Sequence, residues 1–183
     1  MNTKIATDYD CIADLVRTYR RQKRTIVLTQ GSFDMLHIGH GRYLHQAKKQ
    51  GDILIVGVDS DVKIRQRKGP GRPVVPQAER LEMLAYMASV DHVVIKEIDQ
   101  PRWQLIKTVK PDVLIATAGT YSDQDLEQLK QWCKKVKVLE PQATTSTSAK
   151  LRRLQISFAH DFTARLTPKI QQAIQKVLQE LEK

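Results

Sequence analysis

Apolar positions along the chain follow two recurring patterns: short unbroken apolar runs, and longer stretches with an apolar residue every three or four positions. The short runs are rich in β-branched residues and predict strands buried on both faces of a parallel sheet. They cover residues 25–28, 53–58, 92–95, 112–116 and 136–139. The helical periodicity predicts helices at 9–21, 39–50, after Pro76, at 101–109, after the capping box of Ser122 and Asp125, and from about 149. This alternation predicts an α/β fold, a doubly wound parallel sheet of about five strands.

Two segments stand apart from this alternation. Residues 61–76 are basic and rich in Gly and Pro, which predicts a long loop that is either mobile or functional. Residues 166–181 have a near-heptad apolar stripe and predict a separate amphipathic tail helix. The expected organisation is a lead-in helix within 1–24, one domain over 25–157, and a C-terminal helix over 158–183.

Charge and composition narrow the function classes. A formal net charge of +10 suits anionic partners, either nucleic acid or small phosphates. Aromatic residues make up only 5% of the chain, which disfavours base-stacking platforms and makes nucleic acid an unlikely partner. The two widely separated cysteines and the lack of a long apolar run predict reduced thiols, no membrane span and a cytoplasmic location.

The candidate site is the stretch 25–40, a strand followed by a turn and a helix start. Gly31 is expected to supply the turn, and His37 and His40 lie one turn apart at the start of the helix. Backbone N–H groups and the helix dipole make such a helix start an anion site, so phosphate is the expected guest. Two structural histidines are the alternative. A zinc pair would need a third ligand, which no fixed spacing supplies.

Three sequence blocks carry a family resemblance. Residues 31–40 resemble the Gly-x-Phe-Asp-x-x-His-x-Gly-His signature of the cytidylyltransferase-like nucleotidyltransferases, which have a Rossmann-like fold. Residues 68–80, with Lys-Gly, Arg-Pro-Val and Glu-Arg, are similar to the bacterial heptose 1-phosphate adenylyltransferases. Residues 145–148 match the late Ser-Thr-Thr/Ser motif of the family. The resemblance covers roughly residues 24–154 and keeps the order of the family's blocks.

The resemblance implies direct transfer of a nucleoside monophosphate from a nucleoside triphosphate to a small phosphorylated acceptor, with release of pyrophosphate. It implies catalytic roles for His37, His40 and Lys68, Mg²⁺ bound mainly through the triphosphate, and a homodimer. The nucleotide-binding residues that it implies are Gly31, Ser32, Phe33, Gly39, Arg80, Gly119, Thr145, Ser146, Thr147 and Ser148. Arg80 could instead pair with glutamates of its own helix, and residues 144–148 could be a plain loop. Asp34 is expected to fix the turn.

The residues after the fourth predicted strand bear on the identity of the acceptor. Heptose enzymes carry Lys-Gly-Gly-Asp-Tyr where residues 117–121 read Thr-Ala-Gly-Thr-Tyr, which predicts a different acceptor or acceptor affinity. Thr117, Thr120, Tyr121 and Arg72 are the candidate acceptor contacts, a sugar phosphate is the expected acceptor, and ATP is favoured over CTP. The alternatives are a glycerol 3-phosphate-type cytidylyltransferase, an FMN adenylyltransferase, or a basic module that binds nucleotide or nucleic acid without catalysis.

Overall fold

The computed structural model describes residues 3–140, 142 and 147–181. The chain forms two compact units, the first within residues 1–144 and the second within 145–183. The first unit is built on a five-stranded parallel sheet with strand order β3-β2-β1-β4-β5. This confirms the predicted doubly wound α/β fold. The order reverses on either side of β1, so the carboxyl ends of β1 and β4 form the crevice where such sheets bind ligands.

The helices and strands follow one another in the predicted alternation. In chain order they are α1 (Tyr9–Arg21), β1 (Ile26–Gly31), α2 (Ile38–Lys48), β2 (Ile53–Asp59), α3 (Asp61–Lys68), α4 (Gln77–Ala85), β3 (His92–Lys96), α5 (Gln104–Val109), β4 (Val113–Thr117), α6 (Asp123–Leu129), β5 (Lys135–Leu139) and α7 (Thr147–Leu181). The predicted capping box is present, since Ser122 and Asp125 each accept from the other's backbone N–H at 3.2 Å.

Both faces of the sheet are covered, which explains why the strands read as unbroken apolar runs. Alternate residues of β1 point to opposite sides: Ile26 and Leu28 join one core and Val27 joins the other. The first core also receives side chains from α1, α5 and α6, and the second from α2 and α4. The lead-in helix α1 is therefore part of the domain core rather than a separate segment.

The predicted loop 61–76 is wrong in its first half, because residues 61–68 form α3. Ser60 caps this helix by accepting from the N–H of Lys63, and Ile64 is its buried apolar anchor. Gly69 ends it at φ +91°, a conformation that favours glycine. The loop is thus reduced to residues 69–76, which directly follow α3.

The second unit contains one long helix, α7, which runs from Thr147 to Leu181. The prediction of a separate tail helix is wrong, because α7 passes through the expected boundary at 157/158 without a break and includes Pro168. Its apolar side chains, such as Phe158 and Ile174, are exposed. Across the described residues, no helix is long and apolar enough to cross a membrane.

Candidate active site

The turn between β1 and α2 brings the signature residues to the carboxyl edge of the sheet. The positive φ angles of this turn belong to Phe33 (+48°) and Met35 (+49°), and Gly31 itself lies in β1. The expectation that Gly31 supplies the turn is therefore wrong. A Cβ on Gly31 would lie 3.2 Å from the ring of Phe33, so its glycine makes room for that buried ring instead.

His37 and His40 form a reciprocal capping box at the start of α2. Nδ1 of His37 accepts from the backbone N–H of Gly39 at 3.1 Å, and Nδ1 of His40 accepts from the backbone N–H of His37 at 3.3 Å. The ring centroids are 4.1 Å apart. A nitrogen that accepts a hydrogen bond carries no proton, so both neutral rings carry their proton on Nε2. These two hydrogen bonds therefore assign the Nε2–H tautomer to both neutral rings at the helix start.

Asp34 connects this turn to the loop that follows α3. Its buried carboxylate accepts from the backbone N–H groups of Val74 and Val75 at 3.0 Å and pairs with Nη2 of Arg72 at 2.8 Å. Asp34 thus fixes a segment forty residues further along the chain, which the expected turn-fixing role did not include. Arg72, a predicted acceptor contact, is 13% exposed in this pair and does not line the cavity described below.

Arg80 lies beneath the site, with its side chain only 1% exposed. Its guanidinium donates to the backbone oxygens of Ser32, of Asp59 at 2.9 Å and of Val75 at 3.0 Å, and it pairs with Asp61 at 2.8 Å. The alternative in which Arg80 pairs with glutamates on its own helix surface is wrong. These bonds join the end of β1, the end of β2 and the start of α3, so Arg80 acts as a scaffold of the site.

Lys68 is the last residue of α3. Partial burial of its ammonium, together with the nearby Arg67 and Arg72, lowers the pKa of Lys68, and Asp34 and Asp59 oppose this shift. A cation held among other cations favours the binding of an anion, because the anion relieves their repulsion.

A cavity of about 290 Å³ opens at the carboxyl ends of the strands. Its wall contains Gly31 of β1, Asp59 of β2, Lys96 of β3 and Tyr121 of the loop after β4. Nη2 of Arg67, which also lines the cavity, donates to Oγ of Ser32 at 2.8 Å. This bond links the cavity directly to the turn that carries the two histidines.

The comparisons with known proteins agree with this architecture. A family model described as Cytidylyltransferase-like matches residues 28–173. The chain belongs to the cytidylyltransferase-like family. The family predicted from the three sequence blocks is thereby confirmed.

The curated relatives of this cytidylyltransferase-like chain include proteins named Bifunctional protein HldE. The one from a Nitratiruptor species is 39% identical over 148 residues, which are 81% of this chain and 31% of the relative. The one from Helicobacter pylori (strain Shi470) is 38% identical over 141 residues, which are 77% of this chain and 30% of the relative. The chain therefore spans less than a third of the length of these two relatives.

Two solved structures share the fold. A lipopolysaccharide core biosynthesis protein from Thermoplasma volcanium GSS1 is 27% identical, with a TM-score of 0.55 over 64% of this chain and 96% of that one. A pantoate-beta-alanine ligase from Francisella tularensis, 16% identical, has a TM-score of 0.54 over 79% of this chain and 68% of that one, and it supports the fold alone.

The remaining predicted site residues are distributed over three places. Ser32 and Phe33 lie in the turn and Gly39 in the first turn of α2. Gly119, at φ +76°, lies in the loop after β4. In the same loop Thr120 and Tyr121 line the cavity. Thr117 is hydrogen-bonded to Thr120, with 2.8 Å between the two Oγ1 atoms. Thr147 and Ser148 are the first residues of α7, and Thr145 and Ser146 lie outside the described residues.

The sequence-based site predictions did not include the charged residues of the cavity, among them Asp59, Arg67 and Lys96. Asp59 is 2% exposed, and its carboxylate pairs with Nζ of Lys96 at 3.1 Å and with Nη2 of Arg67 at 2.9 Å. Burial alone would raise the pKa of Asp59, but Lys96 and Arg67 hold it below its ordinary value. Burial lowers the pKa of Lys96, and Asp59 opposes this. The available signal was Gly57, a glycine inside an apolar strand, which marks a close approach.

Proposed function

We propose that this chain is a nucleotidyltransferase that moves a nucleoside monophosphate from a nucleoside triphosphate to a small phosphorylated acceptor. The observation that carries the proposal is the pair of His37 and His40 imidazoles at the start of α2, with the cationic cavity linked to the same turn. Transfer of this kind needs positioning and charge stabilisation rather than a covalent intermediate. Family membership supports the reaction class.

The triphosphate would lie over the start of α2. His37 and His40 would donate to the phosphate oxygens that gain charge as pyrophosphate leaves. Lys68 would add an ammonium from the end of α3. Arg80 would hold the backbone of Ser32 and Asp59 in place from below. ATP is the favoured donor because the sequence blocks resemble an adenylyltransferase.

The acceptor would occupy the cavity at the carboxyl ends of β1, β2 and β3. Its polar walls include the amide of Gln30, which donates to the hydroxyl of Tyr121 at 3.3 Å, and these groups suit a hydroxylated ligand such as a sugar phosphate. Thr120 and Tyr121 line this cavity and would contact the acceptor there. The family match and the curated relatives do not favour a non-catalytic module, a glycerol 3-phosphate-type cytidylyltransferase or an FMN adenylyltransferase.

Magnesium is the proposed cofactor, and it would be carried by the triphosphate. Among the described residues, no cluster of three His, Cys, Asp or Glu side chains could hold a metal ion. The two carboxylates near the site, Asp34 and Asp59, are already bonded to Arg72 and to Lys96 and Arg67. This donor set fits an ion held mainly by phosphate oxygens, which would neutralise charge on the leaving pyrophosphate.

We also propose that the protein acts in the cytoplasm as a homodimer. The exposed apolar side chains of α7, including Phe158, Ile170 and Ile174, are a candidate contact surface. Light scattering of the full chain and of a chain ending at residue 157 tests this proposal. A monomeric full chain would refute the dimer, and an unchanged dimer after truncation would exclude the part of α7 beyond residue 157 from the contact.

The decisive experiment measures pyrophosphate release with ATP or CTP, Mg²⁺ and an acceptor panel of heptose 1-phosphate, glycerol 3-phosphate and FMN. The expected result is turnover with ATP and a sugar phosphate. Tight binding of nucleic acid with no pyrophosphate release from any pair would overturn the proposal in favour of a binding module.

A further inference from the structure

The wall of the cavity contains a buried ion pair that packing alone does not require. Asp59 is 2% exposed and Lys96 17% exposed, and their charged atoms are 3.1 Å apart. Such pairs are costly to desolvate and can often be replaced by apolar side chains without loss of stability. A buried pair at the wall of a polar cavity is therefore a candidate for binding a ligand.

Gly57 makes room for this pair. A Cβ at Gly57 would lie 2.9 Å from Cδ of Lys96 and 2.5 Å from Cδ2 of Leu105, which are distances that real Cβ atoms do not adopt. The aliphatic stem of Lys96 therefore crosses β2 through the space that the glycine leaves. The close approach of strand and side chain brings the ammonium to Asp59 at the carboxyl end of the sheet.

Asp59 holds two cations at once, one on each carboxylate oxygen. Oδ1 accepts from Lys96, and Oδ2 accepts from Arg67, which also donates to Oγ of Ser32. The bond to Asp59 uses one of the three N–H donors of the Lys96 ammonium, which leaves two for a ligand. Lys63 lines the same cavity, so three cations surround one carboxylate there. The rim pair of Arg102 and Asp125 adds no net charge.

We propose that Lys96 and Arg67 bind the phosphate of the acceptor and that Asp59 is the positioning residue that holds both cations for it. This inference rests on the proposed function, because it assigns the acceptor end of that site. The contact of Arg67 with Ser32 places the acceptor phosphate beside the turn of the two histidines, where it must lie to attack the α-phosphorus of the nucleotide. The ligand class is a phosphate monoester.

Steady-state kinetics on the full chain tests the assignment with Lys96→Met, which removes the ammonium and keeps the aliphatic stem. We expect KM for the sugar phosphate to rise about 10- to 100-fold, the range for losing a charge-assisted hydrogen bond, while KM for ATP changes less than about threefold. Asp59→Asn should raise the same KM without removing either cation. A purely structural pair would change neither KM selectively.

The matched control is Lys48→Met, which breaks a partly buried Lys–Asp pair with Asp91 at the opposite end of the sheet. It should leave both KM values unchanged. If Lys96→Met fails to fold, the double variant Asp59→Asn with Lys96→Met removes the pair as a neutral unit, and it should show the same rise in acceptor KM. An acceptor KM like that of the wild type in any folded Lys96 variant would overturn the inference.

Titration calorimetry with inorganic phosphate separates this inference from the proposed function, since it needs no turnover. The wild-type chain and Lys48→Met should bind phosphate, and Lys96→Met should bind it at least about tenfold more weakly. Absent or equal binding in the wild type and Lys96→Met would refute the phosphate site even if the enzyme is active. A wild-type chain that binds phosphate through Lys96 but releases no pyrophosphate would refute only the proposed function.

Discussion

Replacement of His40 by Asn separates the capping role that the structure shows for this ring from the donor role that we propose for it. Nδ1 of His40 accepts from the backbone N–H of His37, and Nε2 carries the proton that would be donated to phosphate. The Asn side-chain oxygen occupies the place of Nδ1, since both are δ atoms on the same carbon skeleton. His40→Asn should therefore keep the capping bond and lose the donor, whereas His40→Ala loses both.

The magnitudes of the two losses differ enough to be measured separately. A lost helix-capping bond costs about 1 kcal/mol of folding stability. A lost donor to a developing oxyanion costs on the order of 3 kcal/mol of transition-state stabilisation, or roughly 10²- to 10³-fold in kcat. We therefore expect the free energy of unfolding of His40→Asn to lie within about 0.5 kcal/mol of the wild-type value. We expect its kcat to be at least about a hundredfold lower.

Two measurements on the same samples check this expectation. Urea unfolding gives the stability of the wild type, His40→Asn and His40→Ala, and pyrophosphate release with saturating ATP and acceptor gives kcat. His37→Asn serves as a comparison, because His37 caps the helix through the N–H of Gly39 and is expected to show the smaller loss of kcat.

A kcat of His40→Asn within about tenfold of the wild type would refute the donor role, since the Nε2 donor would then contribute little. A His40→Asn variant as unstable as His40→Ala would refute the capping role, since the capping bond would then not be the one that Nδ1 makes. A loss of activity in step with a loss of stability would make His40 a structural residue.

Three further predictions concern stability. Arg80→Met should destabilise the fold by about 3–5 kcal/mol in urea, because the Asp61 carboxylate and three backbone oxygens lose a charged partner; a loss below about 1 kcal/mol would contradict the scaffold role. Gly57→Ala should cost about 1–3 kcal/mol by crowding Leu105, and the same change should cost less in a Leu105→Ala background; an equal cost in both backgrounds would exclude the clash. Burial alone would raise the pKa of Asp112, but the Ile26 N–H and Lys134 hold it below its ordinary value of 3.8. The stabilisation that Asp112 gives the fold is therefore present above that value and is lost as the pH falls through the folded pKa. Asp112→Asn should be less stable than the wild type at neutral pH and nearly equal to it in strong acid, and a stability difference independent of pH would refute this prediction.

Local sequence patterns were enough to predict most of the fold and the family. The unbroken apolar runs identified all five strands, because a strand buried on both faces has no polar side to show. The limits of α1 matched its periodic pattern over 9–21. Residues 31–40 identified the turn that carries the two histidines, because the spacing of two histidines at a helix start is itself a local geometry. Errors arose where Gly and Pro content suggested a loop, since α3 depends on its Ser60 cap and on the tertiary burial of Ile64.

The arrangement of the charged cavity residues was decided by the tertiary structure alone. Asp59, Arg67 and Lys96 come from three separate elements and meet only because parallel strands place their carboxyl ends at one edge of the sheet. The same folding buried Arg80, whose sequence position on a helix is equally compatible with a surface ion pair. Sequence by itself determined the strands, the family and the histidine turn, because those depend on neighbours within a few residues. Which charges face one another across the cavity depends on contacts between residues far apart in the chain, and these exist only after the sheet has formed.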